Sequence, residues 1–161
     1  MPAEELLALA SATIQTIDPS ASFITDEVLA SLSAILPEKL VIAALDLIDR
    51  RNVIHYVTPW GHTEYEVLGS TETGANIILG ESPSSYSVLL DIQTSPVPYS
   101  CSCPAFLHSV LRLESHIMCK HILAALIARQ MNMSIIRPTS VDELAALFIR
   151  QFPTKAETPR E

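Results

Sequence analysis

The chain has 161 residues, of which 48% are hydrophobic and 17% charged, with 18 acids against 10 lysines and arginines. That length suits one compact domain with at most a short appendage, and the apolar fraction excludes a mainly disordered chain. The longest apolar runs, Leu40 to Leu45 and Ile122 to Ala128, fall far short of the roughly 18 residues that a membrane span needs. The start Met1-Pro2-Ala3-Glu4-Glu5 is acidic, whereas a secretory signal begins basic and turns apolar, so an intracellular chain is expected.

The net charge of -8 argues against a surface devoted to nucleic acid, but the charge is uneven. Through residue 100 the only bases are Lys39, Arg50 and Arg51, set among most of the acids. From 101 to 150, Arg112, Lys120, Arg129, Arg137 and Arg150 outnumber Glu114, Asp142 and Glu143. Any DNA contact is therefore expected from the second half, although solvated helix faces would give the same pattern. So apolar a chain also implies that part of its surface is covered by another subunit.

The first third reads as helix. Leu6, Leu7, Leu9, Ala10, Ile14 and Ile17 recur at helical spacing until Asp18-Pro19 stops the run. A second helix starts at the N-cap Thr25, with Asp26 and Glu27 in its first turn and Val28, Leu29, Leu32, Ile35 and Leu36 as its apolar face. Pro37 opens a third helix that runs from Glu38 to Arg50.

At Asn52 the character changes. Val53 to Thr58 is β-branched and aromatic, Pro59-Trp60-Gly61-His62 is a turn, and Tyr65 to Gly69 returns, which predicts a hairpin. Asn76 to Leu79 and Tyr86 to Ile92 are two further strand candidates around the loop Gly80 to Ser85. A helix is expected from Pro104, with Ala105, Phe106, Val110 and Leu111 inward, and a stronger one from Cys119 to Met131. Ser140-x-x-Glu143 matches a capping box and opens a last helix with the stripe Leu144, Leu147, Phe148 and Phe152. Residues 154–161 are expected to be a flexible tail.

All three cysteines, Cys101, Cys103 and Cys119, fall within 19 residues, and His121 follows. Three thiolates and one imidazole are a standard ligand set for a structural, four-coordinate zinc ion. With four protein ligands no position is left for a substrate, so the expected role of the metal is structural, one ion per chain. The competing reading makes the cysteines small core hydrophobes and His121 a core histidine. His108 and His116 are possible stand-ins for His121, although the two-residue step pairs Cys119 with His121 more naturally.

Catalytic patterns are weak by comparison. A nucleophilic Cys103 served by His108 or His116 leaves the other ligands unexplained. Gly61, Gly69, Gly74 and Gly80 cannot assemble a phosphate loop. Asp46 and Asp49 share a helix face as solvated acids commonly do.

Cys101-x-Cys103-x15-Cys119-x-His121 has the C-x-C-x(n)-C-x-H form of the SWIM zinc-binding domain. Ala43 with Leu45 to Arg50, the hairpin ending Tyr65 to Ser70, Cys101 to Phe106, Ser109 to Arg112, Cys119 to His121, and Ala124 three residues after the histidine extend the likeness. Over roughly residues 40 to 131 the chain resembles the small SWIM-domain subunit of the Shu homologous-recombination complex. The loop from Gly74 to Pro98 looks longer than that family's pattern.

The residue pattern, with the strand-strand-helix module that the resemblance implies, gives an expected α+β fold: N-terminal helices (1–51), a small antiparallel sheet and zinc-stapled SWIM module (52–133), and a C-terminal helix (134–153). The resemblance implies a nuclear, non-enzymatic mediator that pairs with a RecA-fold recombinase paralogue and supports recombinase filaments on single-stranded DNA in repair and meiosis. Ile122, Leu123 and Ala124 are then expected at the partner interface, with core packing as the alternative. The competing function is a direct DNA-binding zinc module that uses Arg112, Lys120 and Arg129 on phosphates. Trp60, at the hairpin tip, either stacks on a base or protein or folds back onto the sheet.

Overall fold

A computed structural model describes residues 3–69 and 84–152. Helices α1 (Ala3–Gln15), α2 (Asp26–Ile35) and α3 (Glu38–Asp49) come first, and their ends follow from local chemistry. Beyond α1, the Asp18 carboxylate accepts hydrogen bonds from the backbone N–H and hydroxyl of Ser20. Thr25 caps α2 by accepting from the Val28 N–H. Helix α3 closes through Arg51, which takes a left-handed conformation (φ 56°), with the Asn52 N–H returning to the Leu47 carbonyl at 2.9 Å. That turn delivers the chain directly into the sheet.

Strands β1 (Val53–Val57) and β2 (Thr63–Leu68) form the expected hairpin, closed by Gly61 at φ 84° and by Thr58, whose N–H donates to the His62 carbonyl and whose hydroxyl oxygen accepts the His62 N–H. Trp60 at its tip is 53% exposed and does not fold back onto the sheet. Strand β3 (Ser85–Leu89) pairs antiparallel with β2, and the two-residue β4 (Ser100–Cys101) pairs antiparallel with β3. The candidate strand at 76–79, most of the loop before Tyr86 and the tail 154–161 lie outside the described residues.

From Phe106 to Arg112 the helix expected after Pro104 is a π-helical stretch, as the Leu113 N–H bonded to the His108 carbonyl five residues back shows. The wider turn changes which residues face inward. Phe106 and Val110 are buried as expected, but Ala105 and Leu111 are exposed, as are Leu107 and Leu113. Helix α4 (Lys120–Gln130) follows, then β5 (Ile135–Pro138) and α5 (Val141–Gln151), which starts with the expected Ser140–Glu143 capping box.

The strand order is β4-β3-β2-β1-β5. The α+β architecture stands, with one addition: β5 lies at the edge beside β1 and runs parallel to it, so the sheet is mixed where an antiparallel one was expected. Alternation along the strands sorts residues between two faces. Val53, Tyr65, Val67 and Val88 join the main core with α1, α3 and α4, whereas Ile54 and Tyr56 pack on Leu144 and Leu147 of α5. Every residue of α4 from His121 to Ala128 is buried, which marks it as the central helix, enclosed between the N-terminal helices and the sheet. Among the described residues no helix is long and apolar enough to cross a membrane.

Candidate metal centre

The C-x-C pair sits where β4 ends. Cys101 is paired with Val88 in the sheet, and Ser102 ties the knuckle to β3 twice: its N–H donates to the Ser87 carbonyl, and its hydroxyl oxygen accepts from the Ser87 N–H at 2.9 Å. Cys103 then heads the turn into the π-helical stretch, and its Sγ accepts the Phe106 N–H at 3.3 Å. Across the core, Cys119 is the N-cap of α4, and its carbonyl receives the Leu123 N–H. His121 lies in the first turn of that helix, with the ring of Tyr86 against its imidazole.

These elements converge on one buried point. The ligand atoms of Cys101, Cys103, Cys119 and His121 all lie within 4.8 Å of one another, and His121 Nδ1 is 3.8 Å from Cys101 Sγ. Zinc–sulfur bonds of about 2.3 Å in a tetrahedron place ligand atoms about 3.8 Å apart, so the observed set is the size of a zinc site. All three cysteines are free thiols, and none is bridged to another. His108 is exposed and His116 is only half-buried, its Nδ1 hydrogen-bonded to the Ser115 hydroxyl, so neither substitutes for His121.

The donor set also calls for a cation. Hydrogen bonds from Cys101 and Cys119 hold the Cys103 thiol far below the ordinary thiol range despite its burial. Donation to Cys103 and Cys119, with burial, pushes Cys101 far up. For Cys119 a lowering bond from Cys101 is outweighed by donation to Cys103 and by burial, which carries it up to about 12. The three buried sulfurs lie so close that the charge of one opposes the charge of the others. A dication lets all three ionise together, which is the chemistry zinc supplies here. The chain's residues therefore fit one zinc ion held by three sulfurs and one imidazole.

The other expected residues separate. Ile122, Leu123 and Ala124 are each 0% exposed, packed inside the chain, so the expectation that they face a partner gives way to the alternative of core packing. An all-round buried helix has no face to spare. Arg112 is exposed beyond the centre, Lys120 is half-buried at the start of α4, and Arg129 is bound to Asp91 near the other end of the helix. Nine residues of helix place Lys120 and Arg129 about 14 Å apart along the axis.

A buried polar cluster on the opposite face of the sheet escaped the sequence reading. Glu64 and Glu66 are both buried beside α5. Glu64 accepts from the Ser87 hydroxyl at 2.8 Å and lies 3.9 Å from His62 Nε2, and burial pushes its carboxyl above the ordinary range. Burial acts on Glu66 as well, but the Tyr56 hydroxyl, Ser85 and a two-oxygen contact from Arg150 outweigh it and hold the carboxyl low. The acids alternate with Tyr65 and Val67, which in sequence reads as a solvated strand face. Only the partner sequence of α5, some 80 residues on, turns that face inward.

A strand end and a helix start that each deliver a pair of ligands to one buried point define a SWIM-type zinc-binding module. The model of the SWIM zinc finger family matches residues 86–130. The chain is 35% identical over 129 residues to Zinc finger SWIM domain-containing protein 7 of Homo sapiens, which covers 80% of this chain and 76% of that protein. The protein of the same name in Mus musculus is 36% identical over 121 residues, 75% of this chain and 65% of the relative. That in Danio rerio is 29% identical over 108 residues, 67% of this chain and 65% of the relative. No solved structure matches the chain. The chain belongs to the zinc finger SWIM domain-containing protein 7 family.

Proposed function

We propose that this protein is a non-enzymatic mediator subunit of homologous recombination, acting in the nucleus as the SWIM component of a Shu-type complex. In this reading it pairs with a RecA-fold recombinase paralogue and helps to promote or stabilise recombinase filaments on single-stranded DNA. The observation that carries the reading is the placement of the four ligands: all are buried, and all belong to elements that build the core. A metal held in that way organises a scaffold and leaves no coordination position for substrate. Family membership supports the same direction, since the relatives carry the SWIM name. The acidic net charge and the pairing of Arg129 with Asp91 favour DNA contact through the partner over direct DNA binding.

The test is co-expression with a RecA-fold paralogue, with stoichiometry read by light scattering and zinc by atomic absorption. A defined hetero-complex with one zinc per copy of this chain is expected. A zinc-loaded chain that elutes alone, and that binds single-stranded DNA with steep salt dependence, would replace the mediator reading with a DNA-binding module.

A further inference from the structure

Beside the zinc centre runs a groove of about 380 Å³ between α3 and the π-helical stretch, lined by Pro37, Leu40 and Ala43 on one wall and Ala105, Ser109 and Met118 on the other. Lys39, Lys120, His116 and Cys119 complete the lining, which holds no carboxylate. On a chain of net charge -8 this is a local reversal of sign. The zinc–thiolate set carries one net negative charge and offsets one lysine, which leaves the exposed Lys39 ammonium to set the sign at the mouth.

We propose that this groove docks a segment of another protein that carries carboxylates beside aliphatic side chains. The aliphatic walls take the apolar residues, and Lys39 pairs with the acids. The composition of the lining selects this occupant: Pro37, Leu40, Ala43, Ala105 and Met118 are apolar and stand beside two lysines with no carboxylate, which fits apolar side chains flanked by acids more closely than a phosphate backbone. One wall also carries a zinc ligand, Cys119, and Ala105 on it follows Cys103 by two residues.

The proposal rests on the mediator reading only for the identity of one partner used to test it. The full zinc-loaded chain is titrated with two fluorescein-labelled helical peptides of equal length, one of Glu and Leu and one of Lys and Leu, and separately with the RecA-fold paralogue. Lys39→Glu reverses the charge at an exposed position, Ala105→Trp fills the groove from an exposed position, and Lys39→Arg is the control. The Glu/Leu peptide is expected to bind at least about tenfold more tightly than its Lys/Leu counterpart, with affinity that falls as salt rises. Lys39→Glu and Ala105→Trp each weaken acidic-ligand binding about tenfold, with zinc content and melting temperature unchanged, and Lys39→Arg retains it.

Binding of both ligands that is indifferent to Lys39→Glu and Ala105→Trp overturns the proposal, and if the paralogue still binds, the mediator reading stands. Failure of the paralogue to bind the native chain, with a Glu/Leu peptide that binds through Lys39, sinks the mediator reading and leaves the groove. Failure of both ligands to bind the native chain sinks both. Self-association, or binding of single-stranded DNA, that is lost on Lys39→Glu assigns the groove to those occupants and likewise overturns it.

Discussion

The ring of Tyr86, on β3, lies 4.5 Å from the imidazole of His121, centroid to centroid, tilted by 31°. The last ligand of the metal set is thus held from the side by the sheet as well as from below by its own helix. An aromatic contact of this kind contributes about 0.5–1.5 kcal/mol. Tyr86→Ala is expected to weaken zinc retention roughly two- to tenfold in competition with a chromogenic chelator, and Tyr86→Phe to leave it unchanged. Equal retention by native protein and Tyr86→Ala would show that the contact does not position the ligand.

Removing the metal has a larger effect. The three cysteine ligands belong to the same core cluster as Leu47, Val88 and Ile127, so an apo chain leaves three buried sulfurs in mutual contact where bonds to zinc had been. Cys103→Ser, or exhaustive chelation, is expected to cost more than about 4 kcal/mol, against a total for such domains of about 5–15 kcal/mol. Near-ultraviolet circular dichroism should collapse, and the cooperative melt with it. An apo protein that melts within a few degrees of the zinc form would exclude a structural role for the metal.

Ala124 separates core from interface. It has no exposed surface, and Ala125 and Ala128 beside it have none either, so extra methylenes there meet occupied space. Ala124→Leu is expected to destabilise the isolated chain by about 1–3 kcal/mol in urea unfolding. Loss of partner association with an unchanged unfolding midpoint would return Ala124 to the interface.

Glu64 gives a pH-dependent test. Its folded-state carboxyl is raised by burial, so the folded chain holds that proton more tightly than the unfolded one does. The ionised form therefore weighs against folding, fully so above the raised value and not at all below the ordinary carboxylate range. Glu64→Gln keeps an acceptor for the Ser87 hydroxyl and removes the charge. It is expected to raise the melting temperature at neutral pH, and to lose that gain as pH falls through the carboxylate range. A variant less stable than the native chain at neutral pH would mean that His62, 3.9 Å away, is a charged partner that repays the burial.

Much of this arrangement was legible because its signals are local. Thr25, Pro37, Ser140 and Glu143 mark helix starts through contacts within a few residues, and the C-x-C and C-x-H pairs announce their chemistry by spacing alone. What escaped depends on distant neighbours. Ile135–Pro138 is too short to show a period, and becomes a strand because the edge of β1 is open to it. The run from Ala105 to Leu111 has helical composition, and its widened turn is closed by bonds from Ser115 and His116 to the Ser109 carbonyl beyond the expected helix end. The stripe of α4 was visible, but that it is buried on every side follows from α1, α3 and the sheet together.

The cover over Glu64 and Glu66 has a consequence for the order in which the protein is made. Arg150 and the rest of α5 leave the ribosome last, after every other described element. Until then, one face of a nearly complete sheet presents two carboxylates to water, ionised and well hydrated. The carboxylates that the finished molecule encloses keep its unfinished precursor from sticking to its neighbours, and the last helix exchanges that protection for a closed fold.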